Sequence, residues 1–179
     1  MIVWRIASTT PLYRADDISG AGAATTGGRW NQKGLPMVYC SAHLSLAYLE
    51  TLVHLNLADP IPYSRFIVEV TIPDGIWRYR LVGQKSRDWP KGWNAQPASN
   101  DSVDYGTAWL RSAAGVALVV PSVVLRQESN ILLNPAHPDF SRVKAAIAER
   151  MMYDPRLFGA KPKLTNGDWF LPHLPDARQ

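Results

Sequence analysis

The chain has 179 residues, 46% of them hydrophobic, with a formal net charge of +4. This is enough for one compact domain that buries most of its apolar surface. No run approaches the roughly 18 uninterrupted apolar residues of a membrane span, and no signal-peptide pattern opens the chain, so we expect a cytoplasmic protein without a membrane contact. The single cysteine, Cys40, excludes an internal disulfide framework. The spread of Lys and Arg suits an anionic small molecule as well as nucleic acid.

The first forty residues predict two short strands separated by a loop. The stretch 2–7, "IVWRIA", has the composition of a strand, and 36–40, "PMVYC", is typical of a second one. Between them, 19–31, "SGAGAATTGGRWN", is so rich in glycine and small residues that it predicts an ordered loop.

A helix is predicted over 42–56, with Ser41 as its capping residue. One face of this helix repeats apolar residues at helical spacing, and a second side is apolar too, so we expect the helix to be mostly buried. The residues of the first face are Ala42, Leu46, Leu49 and Val53.

The rest of the chain interleaves strands and helices without a regular strand–helix–strand repeat. Alternating residues predict a strand over 64–72, and a segment rich in Trp, Pro and Gly predicts a surface loop over 88–101. Further predictions are a helix over 102–114, strands over 115–122 and 129–135, and an amphipathic helix over 139–152. This order favours a mixed α+β domain over a doubly wound sheet. Residues 160–179 lack periodicity and predict a tail.

Several common sites are excluded by their missing residues. The stretch 20–25, "GAGAAT", begins like a dinucleotide fingerprint, but Thr25 stands in place of the last glycine and no good strand precedes it. The chain lacks a phosphate loop, a nucleophile elbow and the cysteine pair of a zinc site. Its four histidines, at 43, 54, 137 and 173, are scattered, so we expect no metal.

Four polar or aromatic residues nevertheless stand out as candidates for a site. Glu50 lies at the edge of the apolar helical stripe, either as a catalytic carboxylate or in an ordinary boundary ion pair. Arg29 follows two glycines and either binds phosphate or contacts Trp30 and loop carbonyls. Tyr39, at the end of a strand, is either a core ring or a ring that stacks on a flat ligand, and Ser122 alone is a turn residue.

Taken together, four segments resemble the RES domain, a family named for an arginine, a glutamate and a serine. They are "GGRWN", "VYC…LAYLETLVHL", "VPSVV" and "NILLNPAHPDF", and the similarity runs from about Trp4 to Phe158. We therefore place the domain at 1–159 and the tail at 160–179. The matching residues are Arg29, Glu50 and Ser122, with the family's tyrosine falling on Tyr39.

The resemblance implies a fold like that of ADP-ribosyltransferases and a bacterial type II toxin that consumes NAD. It also implies a partner, an antitoxin with an Xre-type helix-turn-helix region. Cleavage of the nicotinamide–ribose bond builds positive charge on the ribose, which one carboxylate can stabilise. Nicotinamide leaves without needing a proton, so Glu50 requires no second acid. By this resemblance Arg29 holds the pyrophosphate, Tyr39 stacks on nicotinamide, and Ser122 contacts the ribose or positions Glu50.

Arg5, on the first strand, is a weaker candidate for a second phosphate contact. The acceptor of the ADP-ribose is left open between water, phosphate and a protein side chain, the last making the chain a mono-ADP-ribosyltransferase. A further alternative from another class is a non-catalytic module that binds a nucleotide or a partner. We expect no direct nucleic-acid binding, since the sequence has neither a helix-turn-helix pattern nor a basic stripe interleaved with aromatic residues.

Overall fold

A seven-stranded sheet organises the part of the chain that the computed structural model describes, residues 1–11, 13–55 and 64–158. The strands are β1 (Ile2–Ser8), β2 (Val38–Ser41), β3 (Arg65–Thr71), β4 (Leu81–Val82), β5 (Ala117–Pro121), β6 (Ser129–Leu133) and β7 (Lys144–Arg150). The helices are α1 (Ala21–Thr26), α2 (Leu44–Leu52), α3 (Asp74–Trp77) and α4 (Asn100–Ser112), and 3₁₀ turns lie at Gly83–Lys85, Pro138–Arg142 and Pro155–Phe158. Strands and helices do not form a repeating unit, which confirms the α+β class.

The sheet order is β4-β5-β6-β2-β1-β3-β7. The pairs are antiparallel except for β4 with β5, which run parallel. The central strands β1 and β2 therefore lie next to each other, and β6 lies on the other side of β2. This register places Ser41 opposite both Trp4 of β1 and Asn130 of β6.

Both faces of the sheet are covered by apolar residues. Because side chains alternate along a strand, neighbours such as Ile131 and Leu132 belong to different clusters. One cluster contains Val3, Val38, Cys40, Val68, Val70, Ile131 and Leu133. The other joins Leu118, Val120 and Leu132 to Trp109 and Leu110 of α4 and to Trp30. Cys40 is a buried free thiol, in agreement with the absence of a disulfide partner for it.

The predicted boundaries and buried face of α2 are wrong. His43, not Ser41, is the residue before the first helical turn, and Ser41 lies in β2. Leu49 and Val53 are 38% and 56% exposed, whereas Leu46 and Ala47 are buried. The helix is rotated relative to the prediction. The face of α2 that contains Glu50 points toward the sheet, where it lines a cleft. Residue 56, the end of the predicted helix, lies outside the described residues.

Two further predictions are wrong. Residues 21–26 of the predicted glycine-rich loop form α1, which ends at Gly27 with φ of 72°; alanine, the strongest helix former, outweighs the glycines here. The predicted helix 139–152 is instead a 3₁₀ turn followed by β7. Pairing of β7 with β3 satisfies a row of backbone groups that would otherwise be left at an open sheet edge, and this outweighs the helical spacing of its alanines.

The five predicted strands and the helix predicted over 102–114 are confirmed to within a few residues. The segment 88–101 is a loop up to the start of α4, but Trp89 and Trp93 pack against the cluster around Trp30 instead of lying on the surface. The predicted tail at 160–179 lies outside the described residues, and the domain boundary at 159 stays a prediction.

Candidate active site

Glu50 lines a cleft of about 370 Å³ between α2 and the central strands. One side of the cleft is β1 from Trp4 to Ser8, and β2 contributes residues 39–41. The facing stripe of α2 and the turn after it is formed by Ala47, Glu50, Thr51 and His54. The spacing i, i+3, i+4, i+7 places these four side chains on one helical face. The cleft is thus built by packing one face of α2 across the sheet.

The Glu50 carboxylate is held by two donors from the strands opposite. The hydroxyl of Ser122 donates to Oε1 over 2.7 Å, and Nδ2 of Asn130 donates to the same oxygen over 2.5 Å. Among the described residues, no hydrogen bond reaches Oε2. A carboxylate held through one oxygen is fixed in orientation and keeps its second oxygen for another partner.

Ser122 is 0% exposed and lies directly after β5. Its hydroxyl oxygen accepts hydrogen bonds from the backbone N–H groups of Val124 and Leu125, each over 3.0 Å. Those two bonds leave the hydroxyl proton for Glu50. A side chain so fully enclosed has no free path to a ligand, so its contact is with the carboxylate and not with the cleft.

Tyr39 joins the cleft to the loop before β2. Its hydroxyl donates to Oδ1 of Asn31 over 2.7 Å and accepts from the backbone N–H of Trp30 over 3.1 Å. Burial raises the pKa of this hydroxyl, and the Trp30 hydrogen bond and the charge of Arg29 act in the opposite direction. The approach is close, because a Cβ on Gly28 would lie 2.6 Å from the Tyr39 hydroxyl oxygen. Gly28 therefore makes room for the tyrosine.

Arg29 is partly buried and bonded to the tryptophan-rich loop. Its Nη1 donates to the carbonyl oxygens of Trp93 and Ala95 over 3.0 and 2.8 Å. Burial lowers the pKa of Arg29, and the charges of Glu50 and Tyr39 raise it. The structure thus brings Arg29 within electrostatic range of Glu50, but its observed hydrogen bonds are to loop carbonyls, and it is not among the residues that line the Glu50 cleft.

Arg5 lies where the Glu50 cleft meets a second cleft of about 290 Å³. Both clefts are lined by residues 5–8 of β1 and by Tyr39, and the second one extends to residues 19–23 at the start of α1. Nη1 of Arg5 donates to the carbonyl oxygen of Asp17 over 2.9 Å. Both clefts are thus lined by the Arg5 cation, which suits an anionic ligand.

The sequence did not single out two residues of the cleft. Asn130 contacts Glu50 directly, and because the two residues are 80 positions apart, no local pattern could reveal the contact. Arg65, at the start of β3, also lines the cleft, and its Nη1 is buried without a hydrogen-bond partner among the described residues. No local sequence pattern indicates Arg65 as a cleft residue. It reaches the cleft because β3 pairs with β1, where Ser8 is its register partner.

The described residues contain no group of three or more His, Cys, Asp or Glu side chains that could hold a metal ion. Of the histidines, His54 lines the Glu50 cleft, while the ring of His43 contacts the carboxylate of Glu128. Within the described ranges no helix is both long and apolar enough to cross a bilayer.

The comparisons with known proteins agree on one family. The RES domain model matches residues 2–154. A Sphingobium protein named "Prs ADP-ribosylating toxin" is 44% identical over 154 residues, which cover 86% of this chain and 94% of the relative. A Yersinia enterocolitica protein named "Toxin Res" is 37% identical over 88% of this chain and 99% of its own length.

A solved structure shows the same fold at much lower sequence identity. It is the MbcT–MbcA toxin–antitoxin complex of M. tuberculosis, one chain of which is 14% identical with a TM-score of 0.53. The alignment covers 88% of this chain and 86% of that one. With the family model and the sequence relatives matching nearly the whole described chain, the protein belongs to the RES domain family.

Proposed function

We propose that this protein is the toxin of a type II toxin–antitoxin pair and cleaves the bond between nicotinamide and ribose in NAD. The observation that carries the proposal is the carboxylate of Glu50, which Ser122 and Asn130 hold through Oε1 at the wall of an open cleft. Arg5 and Arg65 line the same cleft and Arg29 interacts electrostatically with Glu50, while a dinucleotide carries the matching negative charge on its pyrophosphate.

The proposed reaction needs one carboxylate. As the bond breaks, its electron pair moves to the pyridinium nitrogen, so nicotinamide leaves neutral and the ribose carbon becomes electron-poor. Oε2 of Glu50, without a bond among the described residues, stabilises that charge. An acceptor oxygen or nitrogen then bonds to the ribose carbon and releases its proton. No general acid is required.

The other candidate residues have roles in binding and orientation. Arg29 and Arg5 bind the pyrophosphate, Arg29 with the guanidinium nitrogens that the loop carbonyls leave free. The ring of Tyr39, at the junction of the two clefts, stacks on nicotinamide. Ser122 positions Glu50, because its complete burial favours this role over a contact with the ribose.

The acceptor divides two versions of this function. Transfer to water or phosphate depletes NAD and stops growth. Transfer to a protein side chain makes the chain a mono-ADP-ribosyltransferase, and the name of the Sphingobium relative, "Prs ADP-ribosylating toxin", supports this second version. Both versions share the cleavage step and the same cleft.

The proposal includes a cytoplasmic location and an antitoxin partner of the Xre type. A toxin that consumes NAD would harm its own cell unless a partner kept it inactive, and the neighbour of the same fold was solved as a toxin–antitoxin complex. Co-expression with the product of the adjacent gene, followed by sizing of the complex, tests the pairing. Separate elution of the two proteins would contradict it.

The decisive experiment follows NAD by chromatography with the purified protein, alone and with phosphate or cell lysate. Glu50→Gln keeps the shape of the side chain but removes its charge, and we expect it to lower kcat by at least about 100-fold. Glu149→Gln, the same change at an exposed position of β7, is the control. Arg29→Ala should raise KM for NAD.

Radiolabelled NAD distinguishes the acceptors, because protein transfer leaves the label on protein and the other reactions leave it in small molecules. Intact NAD under all conditions with the wild-type protein would reject the cleavage proposal. NAD binding without turnover in both the wild type and Glu50→Gln would instead favour a binding module.

A further inference from the structure

A chain of hydrogen bonds links Glu50 to a serine on the far side of Asn130. The hydroxyl of Ser41 donates to Oδ1 of Asn130 over 2.8 Å, and Nδ2 of Asn130 donates to Oε1 of Glu50. Ser41 and Asn130 are register partners on the adjacent strands β2 and β6. The two side chains therefore sit on the rigid centre of the sheet, and Ser41 is only 4% exposed.

The chemistry of the groups fixes the direction of this chain. An ionised carboxylate only accepts hydrogen bonds, so the amide of Asn130 must turn its NH₂ end toward Glu50. Its oxygen then faces Ser41, whose hydroxyl must donate. A reversed amide would place two acceptor oxygens at hydrogen-bond distance, which is repulsive. Ser41 thus stabilises the amide orientation that Glu50 needs.

The arrangement also decides which carboxylate oxygen is free. Asn130 and Ser122 both donate to Oε1, and they approach it from β6 and from the end of β5. We propose that Ser41 and Asn130 are positioning residues that, together with Ser122, hold Glu50 so that Oε2 is presented to the ribose. The inference rests on the proposed cleavage of NAD for its kinetic test, but not for its spectroscopic one.

The kinetic test compares Ser41→Ala, Asn130→Ala and the double variant. Supporting groups of this kind contribute about 10- to 100-fold, so we expect Asn130→Ala to lower kcat by about that factor with KM for NAD within about twofold. Ser41→Ala should lower kcat less, and it should have almost no effect once Asn130 is alanine, because Ser41 acts only through the amide. Ser112→Ala, which removes a hydroxyl that bonds Trp109 on α4, is the control.

Asn130→Asp should shift the pH dependence of kcat, an effect that a simple loss of structure would not produce. The variant places a second carboxyl group beside Glu50, and two such groups cannot both ionise, so the pair keeps a proton to higher pH. We expect the acid limb of the kcat profile to move upward by at least about one pH unit. The other titratable groups at Glu50 and its cleft, Arg5, Arg29, Tyr39, Cys40, His54 and Arg65, are unchanged in this variant. Asn100→Asp, an exposed position on α4, adds the same charge elsewhere as a control.

The spectroscopic test needs no activity. The side-chain NH₂ signal of Asn130 in ¹H–¹⁵N spectra, assigned by its loss in Asn130→Asp, should move upfield in Glu50→Gln and again change in Ser41→Ala, while Ser112→Ala leaves it in place. If the wild type does not consume NAD, the proposed function fails, and this signal still decides the positioning role. The positioning role would be overturned if the decreases in kcat from Ser41→Ala and Asn130→Ala multiplied in the double variant. It would also be overturned if the Asn130 amide signal did not change in either Glu50→Gln or Ser41→Ala. Should Asn130→Ala not fold, Ser41→Ala and Asn130→Asp still distinguish these outcomes.

Discussion

At the scale of single residues, the polar side chains around the cleft form two hydrogen-bonded groups. Asn130, Ser122 and Ser41 fix the carboxylate, whereas Tyr39 and Asn31 fix the loop that carries Arg29. Asn31 is 1% exposed, and its Nδ2 donates to the carbonyl oxygens of Ala23 in α1 and of Gln32 and Leu35 in the loop. The tyrosine hydroxyl is the link between this loop and the central strand β2.

Tyr39→Phe tests that link. The ring remains to contact a ligand, but Oδ1 of Asn31 and the N–H of Trp30 each lose a partner. An unsatisfied buried group costs about 1–3 kcal/mol, so we expect the free energy of unfolding to fall by about 1–3 kcal/mol. Loosening of the Arg29 loop should raise KM for NAD more than it lowers kcat. Urea unfolding and steady-state kinetics measure the two effects.

The control for this substitution is Tyr105→Phe. Tyr105 packs its ring against Trp30 and Trp89, and its hydroxyl makes no hydrogen bond among the described residues. If the two variants lose equal stability and share one KM, the hydroxyl of Tyr39 has no special part in holding the loop.

At the scale of elements, the position of the Arg29 loop also depends on the close approach of α4. A Cβ on Gly106 of α4 would lie 2.0 Å from the carbonyl oxygen of Trp30. Since backbone atoms cannot move away as a flexible side chain can, Gly106→Ala must separate the helix from the loop. Overpacking of this kind costs about 1–3 kcal/mol, occasionally more. We expect a lower midpoint in thermal and urea unfolding, with a higher KM for NAD.

Gly22→Ala is the matched control, because Gly22 is also helical and has no atom within 4 Å of its ideal Cβ. There the substitution should be neutral or stabilise by up to about 1 kcal/mol, since alanine favours the helix. Equal stability changes in the two variants would show that the contact between α4 and Trp30 is not tight.

The elements also show where local sequence patterns are sufficient. β1, β5 and β6 follow from composition, because strands that are buried in a sheet need apolar residues, and β3 follows from the alternation of its residues. The face of α2 and the strand β7 do not, because each depends on a partner that is distant in the chain: the cleft for Glu50 and the open edge of β3 for β7. The alanine spacing in this segment is compatible with a helix or a strand, and the open edge of β3 selects the strand.

At the scale of the whole molecule, the candidate site is assembled from elements that only the fold brings together. Glu50 comes from α2, Ser122 from the end of β5 and Asn130 from β6. The resemblance to the family predicted Arg29, Tyr39, Glu50 and Ser122 as site residues from their types and their order along the chain. The contacts among them depend on strand order, in which β6 lies next to β2 and β5 next to β6, and no local spacing encodes that order.

A buried thiol in the central strand β2 should make the free energy of unfolding depend on pH in the alkaline range. Cys40 is 3% exposed, and burial raises the pKa of its thiol to about 12, with the charge of Arg5 acting in the opposite direction. The stabilising effect is complete below the ordinary pKa of 9.0, because both states are then protonated. Above it the unfolded chain loses its proton while the native thiol keeps it, so the free energy of unfolding falls by about 1.4 kcal/mol per pH unit, up to about pH 12.

Cys40→Ala isolates this contribution. Alanine costs some packing at every pH, but it removes the ionisation, so the measured quantity is the slope of unfolding free energy against pH and not its absolute value. Urea unfolding at intervals between pH 9 and 11 should show the wild type losing about 1.4 kcal/mol per pH unit more than the variant. The raised pKa of Tyr39 acts in the same direction above its ordinary value of 10.0, but it does so in both proteins and cancels in the comparison. Parallel slopes would mean that the thiol already meets solvent in the native state, and β2 would then not be the closed centre of the sheet.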